Sequence, residues 1–330
     1  MDGRRPDNLQ IGCESASEFY TTCRGRNSLG MKRVMSPLRY PGSKVRITEM
    51  VAGLLERNLL VGSHLYEPFA GGSAVSLGLL ANGFVPSATW IERDPLIYAF
   101  WRMVKENPEG LVDRMMRGKV TLPAWKRMRP LRETSKPTKV NLAELGYAGL
   151  FFNRTCFSGI VGAGPIGGMT QSSAYKIDCR FNKKELAAAI RECSEIMKKV
   201  EIFFGDGIKF LKEHCLKMPT HSVVYIDPPY VTNGYKLYRY HFDEGQHERL
   251  SDAVGNLCVP WLMSYDNHQL IRDLYVGEQT KYVKTYQSLK GSRFVKEILL
   301  LSEDFALPTT ETAAPSPRNR GRAHLLNYEN

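Results

Sequence analysis

Short apolar runs recur along the middle of the chain, and each is followed by a polar or Gly/Pro break and then by a segment with helical spacing. Runs of this length predict buried strands. Their alternation with helices predicts an α/β fold with a mainly parallel sheet and crossover helices. The runs are Leu65–Tyr66, Thr89–Ile91, Glu201–Phe204, Val223–Ile226 and Trp261–Met263.

The last two apolar runs, Tyr282–Tyr286 and Val295–Leu301, are separated by the short segment 288–292. That segment leaves no room for a crossover helix, which a parallel pair would need. The spacing therefore predicts a C-terminal antiparallel hairpin at the edge of the sheet.

Residues 110–199 interrupt the alternation, because helical stretches there flank a Gly-rich loop from Gly159 to Gly168. A block of this kind predicts an insertion with a task of its own. The catalytic domain would then comprise residues 36–109 and 200–306. The polar ends, residues 1–35 and 307–330, show no periodicity and are predicted to be disordered tails.

The composition narrows the class of protein only modestly. The 330-residue chain carries a formal net charge of +11, which favours a polyanionic partner, although many basic proteins bind no nucleic acid. Its seven scattered cysteines form no Cys-x-x-Cys pair, so neither a disulfide framework nor a metal site is expected. Without a signal-like or membrane-spanning apolar stretch, we expect a soluble cytoplasmic protein.

The tetrapeptide Asp227–Tyr230 directly follows the apolar run that ends at Ile226. Two prolines fix the backbone and remove its donors, which leaves the Asp227 carboxylate and the Pro228 carbonyl free to accept hydrogen bonds beside the Tyr230 ring. Such a corner suits an amino group on a flat base. A simple turn with a packing tyrosine is the alternative for an isolated match.

Three other strand ends indicate a nucleotide-like ligand. Small residues in Glu67–Ala74 would let a ligand approach the backbone where a strand turns into a helix. Glu92, with Asp94 as the reserve, is placed to accept ribose hydroxyls, and Asp206 to accept an adenine amino group. Upstream, Tyr40 offers a ring face and Lys44 a cation for a carboxylate.

These segments resemble, in order, the motifs of the Dam-like (D12 class) adenine-N6 DNA methyltransferases. The matching segments are Leu38–Lys44, Glu67–Ala74, Asn153–Gly159 and Asp227–Tyr230, and the likeness covers about residues 36–305. An Asp at the first position of the tetrapeptide is typical of DNA amino-methyltransferases, whereas protein-glutamine methyltransferases usually carry Asn.

The resemblance implies a Rossmann-like methyltransferase fold, S-adenosylmethionine as methyl donor, double-stranded DNA as partner, and residues 110–199 as the target-recognition insertion. Asp227, Pro228 and Tyr230 would be catalytic. The donor-binding residues would be Tyr40, Lys44, Glu67, Phe69, Ala70, Gly71, Gly72, Glu92, Asp206 and Asp227. The family commonly has Asn where this chain has Ser158 and Arg where it has Gly162, so the familiar GATC target is not assumed.

Methylation inside a duplex requires the adenine to be extruded. The resemblance points to the segment from Asn153 to Gly162, where Phe157 is an aromatic able to intercalate and Ser158 a candidate for reading the target. The alternative is that Phe157 is a core residue. Phosphate contacts are expected from basic residues in the insertion and in loops after strands, namely Arg154, Lys176, Arg180, Lys236, Arg239, Lys290 and Arg293.

Several alternatives stay open on the sequence. N4-cytosine methylation uses the same tetrapeptide, an RNA substrate would also fit a basic groove, and a catalytically inactive DNA-binding relative would need only the charge. A cognate restriction endonuclease and a solitary or phage role fit equally well.

Overall fold

The computed structural model describes residues 30–39, 45–232, 239–287 and 293–306. In chain order the elements are α1 (Val45–Arg57), β1 (His64–Glu67), α2 (Ala74–Ala81), β2 (Ala88–Glu92), α3 (Pro95–Glu106), α4 (Pro108–Arg117), α5 (Leu122–Met128), α6 (Leu142–Thr155), α7 (Lys183–Met197), β3 (Val200–Phe204), α8 (Gly207–His214), β4 (Ser222–Ile226), α9 (Glu244–Val254), β5 (Trp261–Asp266), α10 (Gln269–Leu274), β6 (Gln279–Gln287) and β7 (Arg293–Leu301). Short 3₁₀ turns lie at Arg129–Glu133, Phe157–Gly159 and Cys215–Lys217.

The strands form one seven-stranded sheet in the order β3-β2-β1-β4-β5-β7-β6. Strands β1 to β5 are parallel, and β7 runs antiparallel to both β5 and β6. The predicted α/β fold, its parallel sheet and its C-terminal hairpin are therefore confirmed. The hairpin is longer than its apolar runs indicated, because Gln279 already pairs with Leu301.

Burial along the strands follows from their place in the sheet. All residues of β2, β4 and β5 are buried, as expected for central strands covered on both faces. The edge strand β3 instead alternates, so that Glu201 and Phe203 face solvent.

The first two helices after β2, α3 and α4, begin at polar caps followed by proline. Asp94 caps α3 and Asn107 caps α4, in each case accepting a hydrogen bond from a backbone N–H of the first turn. A proline follows each cap, at a position where its missing N–H costs nothing.

Helix α6 lies tightly against α3 because glycines face the contact. A Cβ at Gly149 would come within 2.4 Å of the Leu96 carbonyl oxygen, and one at Gly146 within 2.8 Å of that of Ala99. The buried face of α6 therefore belongs to the same apolar core as α3 and the sheet. The division of the chain into a catalytic domain and an insertion stays a prediction.

The topology determines where a ligand can bind. The chain leaves β1 toward β2 and β3, and leaves β4 toward β5, so the direction of winding reverses between the adjacent strands β1 and β4. Open α/β sheets bind ligands at the carboxyl ends of strands at such a point. Among the described helices, none has the length and apolar character that crossing a bilayer requires.

Candidate active site

A cleft opens at the carboxyl ends of β1, β2 and β4. Glu67, Glu92 and Asp227 line it from these three strands, together with Asp206 at the end of β3. The structure thus brings together four acidic residues that lie far apart in the sequence. Phe69, Ala70, Gly71 and Gly72 complete the wall below them.

The small-residue loop after β1 is held in a shape that glycine favours. Gly71 has a φ of 48° and Ser73 a φ of 45°, both in the left-handed region. The Trp101 indole N–H donates to the Gly71 carbonyl oxygen at 2.8 Å, and the Ser73 hydroxyl donates to that of Ala70 at 3.0 Å. The contribution of Trp101 was missed by the sequence reasoning, and no motif marks it.

Glu67 lies below this loop and is 2% exposed. Its carboxylate accepts a hydrogen bond from the Ser76 hydroxyl, in the first turn of α2. The contact ties the end of β1 to the helix that follows, which fixes the direction in which the loop leaves the strand.

The two acids at the end of β2 have different partners. Glu92 accepts hydrogen bonds from the backbone N–H groups of Gly71, at 2.8 Å, and of Asp94, at 2.6 Å. Burial and then the neighbouring Asp94 charge raise the pKa of Glu92 to about 7. The Asp94 carboxylate accepts from the Leu96 N–H as the cap of α3, and the Arg239 guanidinium lies 3.6 Å away.

Both acids are engaged with the backbone, Glu92 through two N–H groups and Asp94 as the cap of α3, so the choice between them as ribose acceptor stays a prediction. Burial also raises the pKa of Asp94, with Arg239 acting in the opposite direction. Asp206, at the end of β3, caps α8 by accepting from the Lys209 N–H at 3.0 Å and pairs with Arg93 at 3.0 Å. The ligand contacts of all three acids stay predictions.

The tetrapeptide Asp227–Tyr230 is braced from strand β5. The Ser264 hydroxyl donates to the Asp227 carboxylate at 2.9 Å, and the Tyr225 hydroxyl lies 2.9 Å from the Ser264 oxygen. The Ser264 hydroxyl has one hydrogen, which it donates in the hydrogen bond to Asp227. The Tyr225 hydroxyl must therefore donate to the Ser264 oxygen. The chain of hydrogen bonds links the Asp227 carboxylate, which lines the cleft, to strands β4 and β5.

The backbone just beyond the tetrapeptide is held by Asp266. Its two carboxylate oxygens accept from the N–H groups of Val231, at 3.0 Å, and Thr232, at 2.7 Å. Tyr230 is 6% exposed, and its ring lies 6.3 Å from that of Tyr265. Ser264 and Asp266 belong to a segment that resembles the family, but the sequence reasoning gave them no role.

Comparison with known families decides the class of the protein. The family model of the D12 class N6 adenine-specific DNA methyltransferases matches residues 40–289. The chain belongs to this family. It is therefore a methyltransferase whose family acts on adenine in DNA, as the motif order predicted.

Solved structures of similar fold share little sequence with the chain. A proposed RNA methyltransferase from Pyrococcus horikoshii is 10% identical, with a TM-score of 0.39, 86% of this chain covered and 93% of the other. A SAM-dependent methyltransferase from Agrobacterium tumefaciens is 10% identical, with a TM-score of 0.38, 79% of this chain covered and 62% of the other. Comparison with curated proteins gives no match.

In this D12-class chain, the segment that follows α6 borders the same cleft. We call residues 156–164 the target turn; its members Gly159, Ile160 and Val161 line the cleft, as Asp227 does. Phe157 is 58% exposed, so it is not a core residue, and Ser158 has a φ of 56°. The alternative that Phe157 is a core residue is therefore wrong, and the intercalating role predicted for it stays a prediction.

Asn153 joins the target turn to the start of the domain. Its amide donates to the carbonyl oxygens of Arg39 and Gly159, both at 2.9 Å, and its oxygen accepts from the Arg39 N–H at 2.6 Å. A Cβ at Gly159 would lie 2.6 Å from the Arg39 carbonyl oxygen, so this approach requires glycine.

The predicted phosphate-binding residues have different surroundings. The Arg154 Nε donates to the Pro37 carbonyl oxygen at 2.6 Å, and burial, followed by the nearby Arg39 charge, lowers the Arg154 pKa to about 10. Arg239 lines the cleft and donates to the Thr134 carbonyl oxygen at 3.1 Å. Their contacts with DNA stay predictions. The predicted site residues Tyr40, Lys44 and Lys236, as well as Lys290, lie outside the described residues.

Proposed function

We propose that the protein transfers a methyl group from S-adenosylmethionine to the N6 amino group of an adenine that is flipped out of double-stranded DNA. The observation that carries the proposal is the shared cleft. Asp227, the small-residue loop at Gly71 and the target turn all line it. A methyl donor, a target base and the segment that would read the target can therefore meet at one place.

The cleft fits S-adenosylmethionine in its donor and acceptor groups. Glu92 is a buried carboxylate that lines the cleft and is held by the Gly71 N–H, so hydroxyl groups of a ribose would find an oriented acceptor there. Phe69 and Ile91 add apolar surface along the same wall. When bound, S-adenosylmethionine supplies an electrophilic methyl group on a positively charged sulfur.

Asp227 and Pro228 would activate the target amine by orientation. The lone pair of an exocyclic amine is delocalised into the ring, which makes the nitrogen a poor nucleophile. Hydrogen bonds from N6 to the Asp227 carboxylate and the Pro228 carbonyl favour tetrahedral geometry and direct the lone pair away from the ring. The proton leaves after methylation from a far more acidic ammonium, so no strong base is required.

Ser264 supports this role, because its hydrogen bond holds the Asp227 carboxylate before any substrate arrives. Preorganised acceptors avoid reorganisation during the reaction. Tyr230 would limit the angle of the base at the same corner.

The target turn would take part in extrusion of the base. Unstacking and unpairing an adenine costs roughly a few kcal/mol, and an inserted side chain offsets part of that cost. Phe157, more than half exposed on a turn that borders the cleft, is suited to fill the gap. The net charge of +11 supports attraction to the phosphate backbone.

The decisive experiment is to express the protein in cells that lack DNA methylation and to sequence their DNA with a method that detects modified bases. We expect N6-methyladenine in one short sequence context. Methylation of cytosine at N4 would show that the target base is cytosine and not adenine. Unmodified DNA from cells that contain folded protein would contradict methyl transfer to DNA. Methylated RNA in the same cells, with unmodified DNA, would show that the substrate is RNA and not DNA.

Binding of the purified protein to duplex DNA gives a second test. If Lys and Arg side chains track the phosphates, the logarithm of the affinity should fall linearly with the logarithm of salt concentration. A flat salt dependence would count against a phosphate-binding surface.

A further inference from the structure

Arg132 is a buried arginine behind the target turn. It is 9% exposed, although it lies in the 3₁₀ turn Arg129–Glu133, whose neighbouring residues Arg129 and Glu133 are exposed. Its guanidinium carbon lies 4.1 Å from the centre of the Phe152 ring and 4.6 Å from that of Trp125. The charge is therefore enclosed by two aromatic faces.

The guanidinium reaches both ends of the target turn. One terminal nitrogen donates to the Cys156 Sγ at 2.8 Å, directly before Phe157, and the other donates to the Gly162 carbonyl oxygen at 3.4 Å. The Trp125 indole N–H donates to the same sulfur at 3.4 Å. A rigid planar group thus bridges the two arms of the turn.

Stability alone is a poor explanation for this arrangement. Within the described part of the chain, no carboxylate is among the groups that shift the Arg132 pKa, which burial lowers, and its Nε has no hydrogen-bond partner there. Removing a charge from water is costly, and apolar side chains of similar volume often fill such a space at no loss of stability. What an apolar residue would lose here is the bridge between Cys156 and Gly162.

Two backbone hydrogen bonds join the arms of the turn. The Phe157 N–H donates to the Gly164 carbonyl oxygen at 3.0 Å, and the Ile166 N–H donates to that of Thr155 at 2.8 Å. Three more are local, from the N–H groups of Gly159, Ile160 and Ala163 to the carbonyl oxygens three residues earlier. The chain passes through Ser158 and Gly159 with positive φ at both. Side chains that clamp the two arms add to these backbone bonds in holding Phe157 and Ser158 in place.

We infer that Arg132 is a positioning residue that sets the shape of the target turn, and through it the extrusion and selection of the target base. The inference rests on the proposed function. Arg132 itself contacts neither the cleft nor a target base; it acts through the turn. The expected consequence of its loss is poorer use of DNA with unchanged binding of S-adenosylmethionine.

The test compares Arg132→Met, which keeps the length of the side chain, with Arg132→Lys, which keeps the charge but cannot form a two-nitrogen bridge. Arg249→Met serves as the control, since Arg249 is an exposed arginine on α9. Four quantities are measured for each variant: amide hydrogen exchange of residues 156–166, the affinity for S-adenosylmethionine by calorimetry, kcat/KM for duplex DNA, and the ratio of kcat/KM between the cognate site and a site with one base pair changed.

For Arg132→Met we expect faster exchange in residues 156–166, a change of less than about twofold in donor affinity, and a fall of about 100-fold in kcat/KM for DNA, since small displacements of positioning groups have effects of this size. The discrimination ratio should fall by about tenfold. Arg132→Lys should lie between Arg132→Met and wild type, and Arg249→Met should match wild type.

Wild-type exchange and wild-type discrimination in Arg132→Met would overturn the inference. Should Arg132→Met not fold, Arg132→Lys decides in its place, with the same two readouts. The exchange measurement needs no substrate, so it separates this inference from the proposed function. A wild-type protein without methyltransferase activity on DNA would overturn the proposed function. An active wild type whose Arg132 variants show unchanged exchange and unchanged discrimination would overturn only the role of Arg132.

Discussion

The cleft and the target turn are built in different ways. In the cleft, acidic side chains at the ends of strands hold backbone N–H groups, as Glu92 does for Gly71 and Asp266 for Val231 and Thr232. In the target turn, the backbone is held from behind by the long side chains of Arg132 and Asn153.

The difference fits the two tasks proposed for these regions, methyl transfer in the cleft and contact with DNA at the turn. Groups that must meet a reacting nitrogen need a fixed geometry, which strand ends provide. A segment that must enter DNA and differ between enzymes of one family is better placed on a loop carried by a rigid scaffold. Substitutions in the cleft should therefore affect the chemical step, and those in the turn should affect the use of DNA.

Asp227→Ala should have the largest effect, and this effect should be confined to the chemical step in the cleft. Loss of the acceptor for the target amine should lower kcat by about 1000-fold or more, with DNA affinity kept within a few-fold. Single-turnover methylation and DNA binding measure the two quantities. Asp273→Ala, at an exposed acid on α10, is the control. An active Asp227→Ala enzyme would remove the central residue of the proposal.

Phe157→Ala tests the other side of the comparison. We expect a loss of about thirtyfold in kcat/KM for DNA, equivalent to roughly 2 kcal/mol, because the gap left by the extruded base is no longer filled. A duplex with 2-aminopurine at the target should show a smaller rise in fluorescence on binding. Phe203→Ala is the matched control, since Phe203 is 51% exposed and Phe157 58%. Equal behaviour of the two variants would contradict intercalation.

Donor binding should depend on pH through Glu92. Its pKa is raised from 4.5 to about 7, so its contribution to the stability of the free protein is fully present below about pH 4.5 and is lost as the pH rises through 7. The ionised carboxylate is the better acceptor for ribose hydroxyls, so ionisation should favour binding.

Calorimetry should show the affinity for S-adenosylmethionine rising by about tenfold from pH 6 to pH 8, as the ionised fraction of Glu92 rises from about one tenth to about nine tenths. Glu92→Gln should remove this part of the pH dependence, whereas Glu248→Gln, at an exposed glutamate on α9, should not. If the affinity of Glu92→Gln for S-adenosylmethionine has the same pH dependence as that of the wild type, a group other than Glu92 accepts the ribose hydroxyls.

Ser264→Ala should give the smallest effect and sharpen the assignment of Asp227. Loss of one hydrogen bond to the carboxylate should lower kcat by about fivefold, or about 1 kcal/mol, with little change in the KM for DNA. Ser251→Ala, which loses a hydrogen bond to the Leu274 carbonyl oxygen, is the control. A change confined to the KM for DNA would indicate that Ser264 affects DNA binding and not the orientation of Asp227.

Much of the cleft could be predicted because its residues follow strands directly. Asp227 stands after β4 and Glu92 at the end of β2, and parallel strands bring their carboxyl ends to one edge. The choice of Glu92 over Asp94 as the ribose acceptor stays a prediction, since both acids accept hydrogen bonds from the backbone. The brace from Ser264 could not be predicted, because it depends on how β4 and β5 lie in register.

The sequence by itself determined the alternation of strands and helices, the carboxyl ends of the parallel strands β1 to β4 to within a residue or so, and the order of the motifs, because these depend on neighbours along the chain. Only the tertiary structure decided that Phe157 faces solvent, that Arg239 lies near Asp94 in the cleft, and that Arg132 points inward to the target turn. The direction of a long side chain is set by partners that are distant in sequence, and a local pattern of residue types carries no information about them.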